Sequence, residues 1–278
     1  MLAFVRIQKT AGTTVLRILR REYGIGHCDV EPWTPGGDFT AEDLRRLRHV
    51  YPRLKSIAGH AVRPYGDLAT TSEGLRFFTF LREPVARCAS HYQHDVRVHG
   101  YAQDIDAWLS ERSGGNRQTR FLAGELDLDA AIDALERLFF VGLVEAFEES
   151  LELFRRAVGD PRLDVSYRSA NVSSETTIRD RLLADPTTRA RLESANELDR
   201  KLYEHALRVR LPRQRAELGP VDEGLLVRLR QGREVPRSWP GYPLNVTYRN
   251  LIYKPLVRMS WRRHRRQRRR TTSSPSRR

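Results

Sequence analysis

The chain has 278 residues, 40% of them hydrophobic, enough to bury a sizeable core as one domain or as one domain with an appendage. No apolar run approaches the roughly eighteen residues of a membrane-crossing helix, and the first strand starts too early to leave room for a signal peptide or anchor. Two cysteines, Cys28 and Cys88, give no disulfide framework, so the composition fits a cytoplasmic enzyme and excludes a disulfide scaffold.

In chain order, an apolar strand over 2–7 leads into Lys9, Thr10, Ala11, Gly12, Thr13 and Thr14, and a helical pattern follows over 13–23. Such a strand, loop and helix start can hold a polyanion. Helix N-terminal N–H groups point outward, the dipole favours negative charge, and Gly12 lets the backbone approach closely. Lys9 adds a mobile point charge, while Thr13 and Thr14 add hydroxyl donors. Lys9 precedes Gly12, so this is not a Walker A loop; the chemistry is that of a phosphate-like group, not of ATP.

Residues 24–39, with Gly26, Pro32, Pro35, Gly36 and Gly37, read as a loop, and Thr40 with Asp43 as a cap for a helix to residue 48. Strands are expected over 55–58 and 76–81, then a helix over 84–98 opened by Pro84. Arg82 then stands at a strand's carboxyl end, with Arg87 one helical turn on and Ser90 a further turn along, near the Arg87 face. Arginine suits a phosphate, and a serine hydroxyl can complete the cradle. Helices are expected over 105–112, 128–137 and 145–158, a strand over 138–142, and a mainly helical stretch over 176–211. Strands alternating with helices predict an α/β fold, a P-loop-like central parallel sheet flanked by helices, with ligands at the strands' carboxyl ends. The expected organisation is an α/β domain over 1–211, an extension over 212–245 and a basic tail over 246–278. No metal cluster or internal repeat stands out.

Lys9 to Thr14 resembles the 5′-phosphosulfate loop of sulfotransferases that use 3′-phosphoadenosine 5′-phosphosulfate (PAPS), and Leu81 to Arg87 with Ser90 resembles their 3′-phosphate motif. The similarity is to the glycan branch that includes the heparan sulfate 2-O and 6-O enzymes. Further echoes follow in order at Gly59-His60, Asn116 to Leu122, Phe140 to Glu145 and Asp199 to Tyr203, so the resemblance spans roughly residues 1–210. Gln8 stands where the family usually has proline, and Glu83 where aspartate is commoner. The resemblance implies that Lys9, Thr10, Ala11, Gly12, Thr13, Thr14, Arg82 and Ser90 bind PAPS as co-substrate. Lys9 would neutralise the leaving group, and His60 would be the general base toward a carbohydrate or glycolipid hydroxyl, with no metal. Histidine titrates near neutrality and suits that role. His27, His91, His94 and, more remotely, Glu31 are rivals for the base. Trp33 and Trp108 are candidates to stack on sugars, Arg117 and Arg120 beside Gln118 to meet an acidic glycan, and Arg168, Asn171 and Ser173 to close over the nucleotide.

The net charge of +14 is local: residues 246–278 carry twelve Lys/Arg and no Asp/Glu, leaving 37 basic against 35 acidic residues elsewhere. The segment from Trp261 onward is expected to be disordered. Tyr248, Leu251, Ile252, Tyr253, Leu256, Val257, Met259 and Trp261 before it are anchors suited to an anionic membrane surface, the inner leaflet being favoured over RNA or a polyanionic glycan. Deleting 246–278 is then expected to leave turnover intact. Two other classes compete with the enzyme: a P-loop-like nucleotide kinase, against the order of Lys9 and Gly12, and a non-catalytic polyanion- or membrane-binding protein, against the joint retention of both motifs and His60.

Overall fold

In the computed structural model, residues 1–70, 74–102, 104–110, 114–167, 177–231 and 241–272 are described. Five strands form one parallel sheet: β1 (Leu2–Val5), β2 (His27–Asp29), β3 (Ser56–Gly59), β4 (Arg76–Leu81) and β5 (Phe140–Leu143), in the order β2-β3-β1-β4-β5. Val5 is level with Gly59 and Phe4 with Phe78, so β3, β1 and β4 deliver their next residues side by side. β1, β3 and β5 are buried along their whole length, the pattern of a parallel sheet covered on both faces.

The flanking helices are α1 (Gly12–Tyr23), α2 (Ala41–Val50), α3 (Pro84–His99), α4 (Ile105–Ser110), α5 (Arg117–Ala123), α6 (Leu128–Arg137) and α7 (Phe147–Val158). α1 buries Val15, Leu16, Ile18 and Leu19, a stripe at helical spacing. On the sheet, Phe4 stacks on Phe78 with centroids 4.9 Å apart, Phe78 meets Phe154 at 4.6 Å, and Phe80 meets Phe147 at 5.4 Å. Gly142 in β5 makes room for this cluster: a Cβ there would stand 2.4 Å from the Phe80 ring. A smaller core of Val85, Cys88, Ala89, Trp108 and Leu192 joins α3 and α4 to the later helices.

Those later helices are α8 (Thr177–Ala184), α9 (Pro186–Ala195), α10 (Glu197–His205), α11 (Leu211–Leu218), α12 (Glu223–Arg230), α13 (Gly241–Tyr248) and α14 (Lys254–Thr272). A π-helical turn over Ala206–Arg210 joins α10 to α11, so the boundary expected at 212 falls inside a continuous helical run. Among the described residues, no helix is long and apolar enough to cross a membrane.

Both sheet edges are closed by side chains rather than by strands. At β5, Gln214 accepts from the Val141 N–H at 2.9 Å and donates to the Val141 carbonyl at 2.8 Å. At β2, Asn245 donates to the His27 carbonyl at 2.6 Å and Arg249 to the Asp29 carbonyl at 2.8 Å. An unpaired edge is a liability, and these groups satisfy it without adding a strand.

The β2 closure corrects the expectation for the tail. α13 and α14 are joined by a π-helical turn over Arg249–Tyr253, and the run packs along β2 instead of hanging free. Tyr253 and Val257 are fully buried in the main core, Tyr248 donates to the Val50 carbonyl at 2.7 Å, and Trp261 Nε1 donates to the Pro32 carbonyl at 2.8 Å. The residues read as membrane anchors include the ones that hold this helix down. β2 itself lies within the stretch expected to be loop, and α5 was not expected. The helices α12, α13 and α14 were not expected either; the elements up to residue 211 otherwise match the sequence-based ones to within a few residues, apart from residues 111 and 112 of the expected 105–112 helix, which lie outside the described set.

Candidate anion-binding site

The first loop leaves β1 through Arg6 and Ile7. Lys9 and Ala11 both adopt left-handed backbone conformations, with φ of 67° and 59°. Non-glycine residues there cost about 1–3 kcal/mol each and gather at functional sites. Thr10 between them is buried and donates its hydroxyl to the Ile7 carbonyl at 3.1 Å, which holds the loop. Ala11 is the N-cap of α1, which has no side-chain cap and no acidic residue in its first turn. Gly12 lies directly under Arg6: a Cβ there would stand 3.0 Å from Arg6 Cγ and Nε. Thr13 is half-buried and Thr14 buried at the start of α1.

The second motif meets this loop directly. Arg82 follows β4, and its Nη1 donates to the Lys9 carbonyl at 3.2 Å. Glu83 caps α3, its carboxylate accepting from the Val85 and Ala86 N–H groups at 3.0 and 2.6 Å. Burial, and then Arg82 nearby, lower the Lys9 pKa, with Asp95 opposing. Arg82 is lowered chiefly by burial, with Glu145 opposing. Ser90 lies two turns into α3 and is half-buried.

Arg87 is the group the sequence reading left out of the cradle. It is fully buried, donates through Nη2 to the Gly114 carbonyl at 3.4 Å, and among the described residues its Nε and Nη1 have no partner. A buried guanidinium with orphaned donors is costly unless an acceptor arrives. Its spacing of three from Ser90 was the available signal. Arg117 is turned toward the first loop by Gln8, whose Oε1 accepts from Arg117 Nε at 2.7 Å. Burial, then Arg87 and Arg63, pull the Arg117 pKa down to about 10. Arg120 also has an Nε without a partner among the described residues. Gln118 points instead at Arg82, bonding both its backbone groups at 2.9 Å.

His60 follows β3, the neighbour of β1. Its Nδ1 lies 2.7 Å from the Arg6 carbonyl, which can only accept, so Nδ1 carries the hydrogen and Nε2 is the basic nitrogen. Surrounding protein, then the Arg6, Arg117 and Arg63 charges, lower its pKa to about 4, although the residue reaches solvent. The histidine is neutral at physiological pH and fixed in one tautomer.

The rivals are placed otherwise. His27 is fully buried between Ser56 Oγ at 2.7 Å and Asp29 Oδ1 at 3.2 Å. His91 is buried against Trp108 with ring centroids 5.3 Å apart, and burial followed by Arg87 brings its pKa to about 2. His94 is also lowered, by burial and then Lys9. Glu31 pairs with Arg249 at 2.8 Å. Trp108 is a core residue, donating to Asp95 Oδ2 at 2.8 Å, which corrects its reading as a sugar platform. Trp33 packs edge-on to Tyr253, and its carbonyl accepts from Ser260. Arg168, Asn171 and Ser173 lie outside the described residues. A separate cleft of about 500 Å³, lined by Arg21, Glu22, Tyr23 and Lys55 among others, lies beside the amino-terminal end of β3 and contains none of the site residues.

Lys9, Arg82 and His60 thus stand at the carboxyl ends of three adjacent parallel strands, around an uncapped helix N-terminus. The arrangement can take an anion with at least two charged groups, and it offers one neutral base beside them. No protein-family model matches the chain, and no curated protein matches it.

Proposed function

We propose that the protein is a sulfotransferase that moves a sulfuryl group from PAPS to a hydroxyl of a carbohydrate or glycoconjugate, working in the cytoplasm. One observation carries the reading: Arg82 bonds the Lys9 carbonyl beside the uncapped start of α1, neither cation has an ion pair with a carboxylate among the described residues, and the buried Arg87 in the second motif has two donors without a partner among them. Desolvated cations with no carboxylate in direct contact call for a ligand that supplies negative charge.

The donor chemistry fits these residues. The α1 N–H groups, with Thr13 and Thr14, suit a 5′-phosphosulfate, and Arg82 and Arg87, with Ser90, suit a 3′-phosphate. In the transfer, the bond between sulfur and the bridging phosphate oxygen breaks as a sulfur–oxygen bond to the acceptor forms. Lys9 neutralises the charge gained by the bridging oxygen, and His60 Nε2 takes the acceptor's proton. Adenosine 3′,5′-bisphosphate leaves. The low His60 pKa belongs to the free protein; donor charges offset Arg6, Arg117 and Arg63 and bring it back toward the range where a base works best.

Calorimetric binding of adenosine 3′,5′-bisphosphate against adenosine 5′-monophosphate tests the reading. At least about tenfold preference for the bisphosphate is expected, the value of one charged hydrogen-bond pair. Equal affinities would remove the 3′-phosphate pocket and with it the proposal.

A further inference from the structure

The C-terminal helical run has an inner and an outer face of different chemistry. Its inner face follows β2 from end to end: Asn245 meets the His27 carbonyl, Arg249 the Asp29 carbonyl, Tyr253 the Glu31 backbone and Trp261 the Pro32 carbonyl. Its basic end therefore extends past the carboxyl edge of the sheet, the edge that holds the anion site.

Among the described residues, the outer face is left exposed. Leu244 is 51% exposed, Leu251 69%, Ile252 42% and Met259 48%, values that leave a large part of each residue in water. Ile25, in the 3-10 turn beside Gly241, is exposed as well. Arg258, Arg262, Arg263, Arg265 and Arg266 continue the same exposed surface, and residues 246–278 contain no acidic side chain to balance them. Aliphatic side chains followed by a block of arginines match a surface that is greasy just beneath a negative plane.

We infer that this outer face docks on an anionic lipid bilayer, lying in the interface with Leu244, Leu251, Ile252 and Met259 at the headgroup–acyl boundary and the arginines on lipid phosphates. The inward turn of the aromatics favours a bilayer over a nucleic acid. Tyr248, Tyr253 and Trp261, the platforms on which bases would stack, are committed to Val50, Glu31 and Pro32. Outside, Tyr242 lies against Arg20 while Leu244, Leu251, Ile252 and Met259 are non-aromatic, and such side chains gain from acyl chains but not from stacked bases. The inference is independent of the sulfotransferase reading, because none of these residues belongs to the anion site.

Flotation of the full chain with vesicles tests it, using phosphatidylcholine alone and phosphatidylcholine mixed with phosphatidylglycerol. Binding is expected only to the mixed vesicles. Leu251→Glu with Met259→Glu should weaken it by about tenfold or more, and Leu251→Ser with Met259→Ser should weaken it without adding charge. Arg258→Ala with Arg262→Ala should cost about fivefold per residue, and lysine at both positions should restore binding. These side chains are exposed, so thermal unfolding of each variant should match the parent and separate lost docking from lost folding. Equal binding to both vesicle types, binding to neither, or full binding by the glutamate pair would overturn the inference. So would preferential capture of single-stranded RNA that survives the serine and glutamate substitutions.

Discussion

Gln118 grips both backbone polar groups of Arg82: its Oε1 accepts the Arg82 N–H, and its Nε2 donates to the Arg82 carbonyl, each at 2.9 Å. Gln118 is itself fixed, because its backbone N–H donates to Asp199 Oδ2 at 3.0 Å while Thr119 bonds Asp199 Oδ1 through its N–H and its hydroxyl. Arg82 in turn bonds the Lys9 carbonyl. A chain of buried hydrogen bonds thus runs from α10 through α5 to the end of β4 and on to the first loop.

Gln118→Ala should leave two backbone groups unsatisfied and cost about 1–3 kcal/mol of stability. Bisphosphate affinity should fall about tenfold, with little change for adenosine 5′-monophosphate. Urea unfolding and calorimetry read the two effects separately. Undiminished bisphosphate binding would show that Gln118 does not position Arg82.

Lys9 sits at φ 67°, where glycine is at ease. Lys9→Gly therefore removes the amine without adding strain, and stability should stay within about 1 kcal/mol of the parent. Turnover with PAPS should fall about 10²- to 10³-fold, the loss typical of one transition-state donor. Ordinary turnover in that variant would take the leaving-group role away from Lys9.

His60 should titrate near pH 4 in the free protein, against an ordinary value of 6.5. The folded pKa lies below the unfolded one, so the unfolded chain takes up the proton first as pH falls. Stability from this group is full above about pH 6.5 and is lost toward about pH 4. His60→Gln should flatten that part of the stability profile, spare nucleotide binding and abolish transfer. Arg6→Met, or bound bisphosphate, should raise the histidine's midpoint in an NMR titration; no upward movement with either would contradict the electrostatic account.

Tyr253→Ala should cost about 3–5 kcal/mol, the range for emptying a buried aromatic site. Deleting 246–278 should abolish cooperative unfolding, because it removes Tyr253, Val257 and Arg249, one of the two side chains that close the β2 edge. Deleting only 262–278 keeps Trp261 and should leave the thermal midpoint within a few degrees of the parent, about the size of a 1 kcal/mol change. A well-folded 1–245 fragment would show that the helix merely rests on the sheet.

Much of the α/β frame was legible along the chain, since apolar runs such as Arg76–Leu81 and amphipathic stretches such as Leu128–Arg137 carry their period in a dozen residues or fewer. The loop of Lys9 to Thr14 and the Arg82 position were legible for the same reason, as strand ends entering helices. β2 was not: its three residues, His27-Cys28-Asp29, have no local strand pattern and become a strand only through pairing with β3. Arg87 was visible as a residue but not as an orphaned donor, because its burial depends on α3 packing against the segment around Gly114.

By itself, then, the sequence determined where four of the five parallel strands lie to within a few residues, and so which loops leave the sheet's carboxyl edge from β1, β3 and β4. That information is local, written in hydrophobic period and helix-start chemistry. Only the tertiary structure decided how long-range partners use the remaining side chains. Trp108 became core and His27 a buried link to Asp29, and Tyr253 and Trp261 turned inward, so a basic tail became a helix that closes the sheet. The physical reason is that burial and hydrogen bonding are set by neighbours distant in sequence, such as Asn245 and His27, and no local pattern encodes them.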